Sequence, residues 1–239
     1  MSSPILTVRG LEVVYDGTAS AVRDYAVDLY PGTVTVMLGR NGAGKTSTLR
    51  GIVGFLPHES GRARGVITLE GQVIKRPTPL GMSRRGVGLV AERDKVFANM
   101  AVIEQMRLAS SNKADIEEVF GFFPRLRERA STRAGMLSGG ERQMLATGLL
   151  LLRKPKVLLF DELSLGLAPG IIRELMSYLR RLADEGGLTI LAADQSVHAS
   201  LSVADVVQVM DSGALVTSGP MSELAVDSIL DRYLGQNER

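Results

Sequence analysis

Residues 39–46 read Gly39-Arg40-Asn41-Gly42-Ala43-Gly44-Lys45-Thr46, and they match the pattern G-x-x-x-x-G-K-[ST]. Residues 33–38 before the match predict a strand, and residues 46–53 after it predict a helix. Glycines at such a turn let backbone N–H groups point at phosphate oxygens, and the helix N-terminus adds positive potential. We expect Lys45 to reach the outer phosphates and the Thr46 hydroxyl to bind magnesium.

The composition excludes several classes of function. The 239 residues include no cysteine and two histidines, which excludes disulfides, thiolate zinc sites and histidine-rich metal clusters. The 28 basic and 26 acidic residues leave a net charge of +2, too small to predict binding to nucleic acid. The apolar runs are far shorter than the roughly 18 residues of a membrane span, and the polar start is not that of a signal peptide. We therefore expect a cytosolic chain that is held at a membrane only through a partner.

The order of predicted elements favours an α/β fold. Residues 5–8, 11–15 and 22–29 are β-rich and predict a sheet in the N-terminal part. Further strands are predicted at 66–69, 87–91, 157–160 and 188–193. Between the last two of these, Ile171, Leu175, Leu179 and Leu182 recur at helical spacing. Strands that alternate with helices in this way predict a parallel sheet covered by helices.

Residues 102–135 lack strand signals and predict an inserted helical subdomain. Two helices are expected, at 102–109 and 116–123, with Asp115 as the N-cap of the second. Residues 112–115, Asn-Lys-Ala-Asp, imitate a guanine-reading motif, but no apolar strand leads into them and they come before Asp161, so we do not interpret them as one. Arg125, Arg129 and Arg133 recur every four residues and would form one basic stripe if helical, either solvated or in contact with a membrane partner.

A second group of residues suits a nucleotide site. Residues 137–141, Leu-Ser-Gly-Gly-Glu, open an apolar helix, and the amides of Ser138, Gly139 and Gly140 at its N-terminus predict another phosphate contact. The apolar run 157–160 ends in Asp161 and Glu162, at the strand edge where α/β folds bind ligands. Asp161 is expected to hold magnesium, and Glu162 to orient or deprotonate the attacking water.

In this order, the motifs resemble those of the ATP-binding cassette superfamily across essentially the whole chain: Walker A at 39–46, the LSGG signature at 137–141 and Walker B at 157–162. The resemblance implies an α/β fold with a P-loop NTPase core of the RecA-like type, an N-terminal antiparallel β subdomain and an inserted helical subdomain. It implies one ATPase domain over 1–239, in which 1–91 and 146–239 form the catalytic core with the β subdomain and 92–145 the helical subdomain. ATP and Mg²⁺ are the implied cofactors.

The same resemblance implies roles for single residues. Glu162, Gln195 and Lys45 would be catalytic, and Thr46, Glu92 and Asp161 would contact the metal. Tyr15 would stack on adenine, and residues 164–169 would form the loop that crosses a dimer interface. The implied nucleotide contacts are Tyr15, Gly39, Asn41, Gly42, Ala43, Gly44, Lys45, Thr46, Ser47, Ser138, Gly139 and Gly140.

Within the superfamily the chain looks like the shorter ATPase subunit of branched-chain amino acid importers. The segments that carry this likeness are 92–93, 122–126, 140–145, 164–169 and 233–235. Related amide and urea importers share them. The likeness implies integral membrane permease subunits and a second ATPase subunit, identical or different, as partners, and indirectly a solute-binding protein. It places the chain on the inner face of the cell membrane.

Three positions depart from the general cassette pattern. Glu92 replaces the usual glutamine, Leu163 replaces the proline after the catalytic glutamate, and Gln195 replaces the switch histidine. A glutamine can hold the γ-phosphate or the water by hydrogen bonds but cannot change its charge near neutral pH. An alternative is therefore a regulatory cassette that binds ATP with little hydrolysis.

Overall fold

The protein is described here by a computed structural model that covers residues 3–56, 61–91, 96–164, 167–194 and 197–224. Its strands, in chain order, are β1 Leu6–Tyr15, β2 Ala19–Leu29, β3 Val34–Leu38, β4 Gly61–Leu69, β5 Gln72–Ile74, β6 Val87–Val90, β7 Val157–Asp161, β8 Thr189–Asp194, β9 Val206–Asp211 and β10 Ala214–Pro220. Its α-helices are α1 Lys45–Val53, α2 Pro79–Arg84, α3 Val102–Ala109, α4 Lys113–Phe122, α5 Pro124–Glu128, α6 Gly139–Leu151, α7 Pro169–Asp184 and α8 Val197–Leu201.

The N-terminal strands form a sheet, as the sequence predicts, and it is antiparallel, as the family resemblance implies. The strand order is β2-β1-β4-β5, and every neighbouring pair is antiparallel. Asp16 and Gly17 turn β1 into β2 with φ angles of 51° and 74°. An Asp-Gly pair with two positive φ angles favours this tight hairpin because its twist matches that of the strands.

The central sheet has the order β10-β9-β3-β8-β7-β6 and is parallel except for its edge strand β10. Every residue of β3, β7 and β8 is buried, as is typical of parallel strands covered on both faces. One face, which includes Met37 and Leu159, packs against α1 and the antiparallel sheet. The other face, which includes Val36 and Phe160, packs against α3, α4, α6 and α7. Helices α1 and α6 therefore lie on opposite faces of the central sheet.

The helical region between β6 and β7 contains α3, α4, α5 and α6. Helix α3 has the predicted bounds, whereas α6 runs without a break from Gly139 to Leu151. The predicted boundary at residue 145 consequently falls inside a helix, so the division into two parts remains a proposal.

The prediction that Asp115 caps α4 is wrong. The N-cap is Asn112, whose side-chain oxygen accepts a hydrogen bond from the amide of Ala114 at 3.0 Å. Asparagine is as favourable as aspartate at this position, and the earlier cap lets the helix begin at Lys113. Asp115 lies in the first turn and forms an ion pair with Lys154, with 3.2 Å between Oδ1 and Nζ.

The condition for one basic stripe, a helix through all three arginines, is not met. Helix α5 ends at Glu128, and Arg129 is its C-cap with φ and ψ of −101° and 13°, so the helical spacing stops before Arg133. The two earlier arginines point to different partners: Arg125 pairs with Glu174 at 3.0 Å and Arg129 with Glu141 at 3.3 Å. Each of these two arginines therefore pairs with its own acidic residue on another helix.

Among the described residues, no helix combines the length and the apolarity needed to cross a bilayer.

Candidate nucleotide site

The glycine-rich loop at 39–46 joins β3 to α1, as predicted. Gly42 and Gly44 have φ angles of 81° and 102°, which favour glycine. A Cβ on Gly44 would lie 2.5 Å from the carbonyl oxygen of Ala21, and one on Gly39 would lie 2.5 Å from that of Met210. Backbone atoms from both sheets thus pack directly against the loop and fix its path.

Lys45 is the first residue of α1, and its side chain folds back into the loop. Its Nζ donates hydrogen bonds to the carbonyl oxygens of Gly39 at 2.7 Å and Arg40 at 3.2 Å. Burial lowers the pKa of Lys45, while the negative charges of Glu162, Asp194 and Asp161 act in the opposite direction. The ammonium is therefore held where it can exchange carbonyl partners for phosphate oxygens.

Thr46 and Asp161 meet although they are far apart in the sequence. The Thr46 Oγ1 donates to Oδ1 of Asp161 at 2.7 Å, and Asp161 is fully buried at the end of β7. Hydroxyl and carboxylate oxygens suit Mg²⁺. The described residues contain no cluster of three histidine, cysteine or carboxylate side chains that could hold a metal alone. Two protein oxygens fit magnesium at a nucleotide, because Mg²⁺ there takes its other ligands from phosphate and water.

Glu162 follows Asp161 and has a φ of 55°. Its amide donates to the carbonyl oxygen of Ala193 at 2.9 Å, which fixes the backbone turn against β8. A non-glycine residue with positive φ is strained, and such residues concentrate at functional sites. Leu163, which stands where a proline is usual, is 1% exposed and packs in the core on the α6 and α7 face. Burial of this side chain helps to fix the segment that a proline would stiffen.

Asp194 is a site residue that the sequence analysis missed. It ends β8 in register with Leu38, directly before the glycine-rich loop, and it is 1% exposed. Its carboxylate accepts hydrogen bonds from the hydroxyls of Ser164 and Ser200, the latter at 2.9 Å. The bond from Ser164 ties the start of the predicted dimer loop to the strand that leads to Gln195. The signal was available, since Asp194 ends an apolar strand at the same sheet edge as Asp161.

Tyr15 lies at the end of β1, beside the start of α1. Its hydroxyl donates to Oγ of Ser47 at 3.3 Å, and its ring is partly exposed. The structure therefore brings Tyr15 and Ser47, two of the predicted nucleotide contacts, together at the edge of the loop. Stacking of the ring on adenine stays a prediction.

The signature segment forms a capped helix start. Ser138 is the N-cap of α6: its Oγ accepts from the amide of Glu141 at 3.3 Å, and its own amide donates to Oε2 of Glu141 at 2.8 Å. A Cβ on Gly140 would lie 2.2 Å from Cγ2 of Ile171, so α7 packs against this glycine. The amides of Gly139 and Gly140 are thereby held at the N-terminus of a long helix, where anions bind.

Glu141 is stabilised in its charged form. Burial alone would raise the pKa of Glu141, but hydrogen bonds with Ser138 and Arg129 and the charge of Arg129 lower it below the usual value. The carboxylate also lies in the first turn of α6, where the helix dipole favours negative charge. The signature segment consequently keeps its shape through local contacts.

The two predicted phosphate-binding segments do not meet within one chain. Helices α1 and α6 pack on opposite faces of the central sheet, and no hydrogen bond or ion pair joins residues 39–47 to 138–140 in the described parts of the chain. Glu92 and Gln195 lie outside the described residues, as do residues 165 and 166 of the predicted dimer loop.

Comparison with known proteins decides the family. The family model described as ABC transporter matches residues 22–164, more than half of the chain. The chain belongs to the ABC transporter family. This ABC ATPase is 35% identical over 228 residues to the high-affinity branched-chain amino acid transport ATP-binding protein BraG of Pseudomonas aeruginosa. The aligned region covers 92% of this chain and 96% of BraG.

A second relative of this ABC ATPase is the probable branched-chain amino acid transport ATP-binding protein LivF of Archaeoglobus fulgidus, 33% identical over 84% of this chain and 86% of LivF. Other matching relatives are named for methionine import and lipopolysaccharide export. Among solved structures, the ATP-binding cassette MJ1267 superposes with a TM-score of 0.83 at 23% identity, covering 97% of this chain and 96% of MJ1267. The last match confirms the predicted fold.

Proposed function

We propose that this chain binds and hydrolyses MgATP as one of two subunits in an ABC importer, and that it powers uptake of branched-chain amino acids. The observation that supports hydrolysis is the convergence of Lys45, Thr46, Asp161 and Glu162 at the carboxyl ends of β3 and β7. The solute rests on the names of the relatives that match nearly the whole chain.

Phosphoryl transfer requires mainly positioning and charge stabilisation from the protein. Thr46 and Asp161 would hold magnesium, which neutralises charge on the phosphates when it is bound. Lys45 donates to the outer phosphate oxygens in place of the carbonyls of Gly39 and Arg40. Glu162 orients the attacking water and accepts its proton.

The pocket requires a second subunit because the signature segment of the same chain lies elsewhere. The amides at 138–140 of a facing subunit would cap the γ-phosphate, so ATP closes the pair and hydrolysis releases it. The link from Ser164 to Asp194 would hold the loop between the two subunits in place. An isolated monomer is therefore expected to be nearly inactive.

An apolar groove supports the proposal of a membrane partner. The groove has a volume of about 490 Å³ and lies between the end of β6 and helices α3 and α6. Phe97 and Leu108 in its lining are 67% and 71% exposed. Apolar side chains that are exposed together in one groove, rather than singly, mark interaction sites. A cytoplasmic segment of the permease would cover them and hold the chain at the inner face of the membrane.

Copurification in mild detergent tests the partner. The wild-type chain should retain integral membrane proteins, and Leu108→Glu should lose most of them because it places a charge in the groove. Leu80→Glu is the matched control, since Leu80 is 62% exposed on α2 and does not line the groove. Equal retention by both variants would contradict this docking site.

Reconstitution of the recovered complex with its binding protein tests the solute. Leucine, isoleucine or valine should stimulate ATP hydrolysis, and urea or short amides should not. Stimulation by urea or an amide alone would replace the solute and leave the ATPase assignment intact. Binding of ATP without phosphate release in a single turnover would instead establish the regulatory cassette.

A further inference from the structure

A cavity of about 320 Å³ lies at the amino-terminal edge of the central sheet, beside the starts of β6 and β7. Basic side chains dominate its charged lining. These charged residues are Glu70, Arg84, Arg85, Arg153, Lys154 and Lys156.

Two of these cations already have acidic partners. The Nζ of Lys156 lies 2.6 and 2.7 Å from the two carboxylate oxygens of Glu70, and the Nζ of Lys154 lies 3.2 Å from Oδ1 of Asp115. Within the described part of the chain, the guanidinium groups of Arg84, Arg85 and Arg153 form neither ion pairs nor hydrogen bonds. Three arginines that line the same cavity therefore have no acidic side chain paired with them among the described residues.

Helix dipoles explain only part of this arrangement. Arg84 ends α2, Arg85 is its C-cap, and Arg153 lies just beyond the end of α6. Each helix C-terminus contributes roughly half a negative charge. Two such ends together balance about one of the three arginines, so the cavity stays positive.

The cavity is separate from the nucleotide site. Gly86 and Lys156 come before β6 and β7, whereas Asp161 ends β7 at the opposite edge of the sheet. From Lys156 to Asp161 the strand covers about 16 Å. The cavity does share Ser83 and Arg153 with the apolar groove between α3 and α6. A ligand in the cavity would therefore brace one wall of that groove.

We propose that this cavity binds a phosphate-bearing anion through Arg84, Arg85 and Arg153. A guanidinium presents a planar fork of N–H donors that matches two phosphate oxygens, and such charge-assisted bonds are strong. The volume lies at the lower end of the range for ligand pockets, roughly 300 to 1,000 Å³, and suits a phosphate or diphosphate group. The anion belongs either to a soluble phosphate compound or to a phospholipid headgroup.

Calorimetric titration of the full chain with inorganic pyrophosphate, without magnesium or nucleotide, tests the site. On the proposed function the glycine-rich loop should also bind pyrophosphate, so the wild-type chain should show two sites. Lys45→Ala should retain the cavity site, and the triple variant Arg84→Ala/Arg85→Ala/Arg153→Ala should retain the loop site. Combining all four changes should weaken binding at both sites. At each altered site, the affinity for pyrophosphate should fall at least about tenfold. The site that remains in each parent variant shows that the variant is folded.

The matched control is Arg64→Ala/Arg107→Ala/Arg173→Ala, which removes the same charge from residues outside the cavity. It should keep both sites. If the cavity triple variant also keeps both, or if the two triple variants lose affinity equally, the proposal is overturned.

Vesicles distinguish the two sources of phosphate. Sedimentation is compared for vesicles of phosphatidylcholine alone and with phosphatidylglycerol. A lipid headgroup would be supported if the wild-type chain binds the anionic vesicles, if pyrophosphate competes with this binding, and if the cavity triple variant does not bind them. Pyrophosphate binding with no such vesicle binding would support a soluble phosphate compound. Both results support the site. If the cavity triple variant still binds pyrophosphate and the anionic vesicles as the wild-type chain does, the proposal is refuted.

Discussion

The two predicted phosphate-binding segments are built in different ways. The glycine-rich loop is tied to distant parts of the chain: Thr46 bonds to Asp161, and backbone from β2 and β9 packs on Gly44 and Gly39. The hydrogen bonds of the signature segment are local, because Ser138 and Glu141 bond to each other within one helix turn, and the segment also packs on Ile171 of α7 through Gly140. The first is a site that the whole fold assembles, and the second is a rigid helix end that is available to another molecule.

Under the proposed function, this difference explains why one chain alone would not complete the ATPase site. The loop gathers a cation, a hydroxyl and two carboxylates, but the N-terminus of α6 lies across the central sheet. A helix end held by its own capping box needs no rearrangement to meet a partner's phosphate. The pair of segments therefore suits a two-subunit sandwich.

The largest effect is expected from Glu162→Gln. Loss of the proposed proton acceptor should lower hydrolysis by about 10² to 10⁴-fold, while Lys45, Thr46 and Asp161 should still bind MgATP. The variant should accumulate as an ATP-bound dimer, measured by light scattering after size exclusion with ATP and magnesium.

The signature segment provides the control for that dimer. Ser138→Arg in the Glu162→Gln background places a bulky cation at the start of α6, away from the loop of its own chain, so ATP should still bind but the dimer should be lost. A double variant that dimerises as well as Glu162→Gln, or a Glu162→Gln monomer with ATP and magnesium bound, would refute the sandwich.

A smaller effect is expected on the free energy of unfolding, and it should differ between Gly44 of the glycine-rich loop and Gly140 of the signature segment. Gly44→Ala should destabilise the chain in any background, because its φ is 102° and the obstacle is the backbone carbonyl of Ala21. Gly140→Ala meets a side-chain methyl of Ile171 instead, and should cost about 1 to 3 kcal/mol of unfolding free energy. Urea unfolding of the full chain measures both.

Removal of the obstacle is the decisive comparison. In an Ile171→Ala background, Gly140→Ala should cost close to nothing, since the crowding methyl is gone, whereas Gly44→Ala should keep its full cost. Equal costs for Gly140→Ala with and without Ile171 would show that the signature glycine serves something other than close packing of α6 on α7.

Much of this arrangement could be predicted from the sequence. The strand, glycine-rich turn and helix at 33–53 can be predicted because apolar periodicity and glycine spacing are local signals. Asp161 and Glu162 were found because parallel strands end at one edge, and the structure brings Thr46 to Asp161 as that argument requires. Strand β4 was predicted to start at 66 but begins at Gly61, since its first half pairs with β1 through mostly exposed residues that lack an apolar pattern.

What the sequence could not provide depends on contacts between distant segments. Asp194 looks like an ordinary strand end until Ser164 and Ser200 are brought against it. The arginines at 125 and 129 have helical spacing, but Pro124 begins a separate short helix and their partners Glu174 and Glu141 come from other elements. Strands β9 and β10 were missed, although β9 lies beside β3 and supplies the carbonyl that packs on Gly39.

The smallest effect concerns the charge of Glu141. Glu141→Gln keeps a side chain that can accept from the Ser138 amide but removes the charge, and should cost about 0.3 to 1 kcal/mol at neutral pH. The folded-state pKa of Glu141 is lowered, so the stabilisation by its charge is complete above the ordinary glutamate pKa of the unfolded chain and is lost as the pH falls through the folded value. Urea unfolding should therefore distinguish wild type from Glu141→Gln at pH 7 and progressively less as the pH falls below that ordinary pKa.

The control for this prediction is Glu118→Gln, an exposed residue of α4 that forms no ion pair among the described residues. It removes the same charge without touching a capping box, and should show no such pH-dependent difference. ATP affinity of the isolated chain should be unchanged by Glu141→Gln, because its contacts with Ser138 and Arg129 do not involve the glycine-rich loop. A weaker ATP affinity would mean that the two segments communicate within one chain, and the contrast between an assembled loop and an independent helix end would fail.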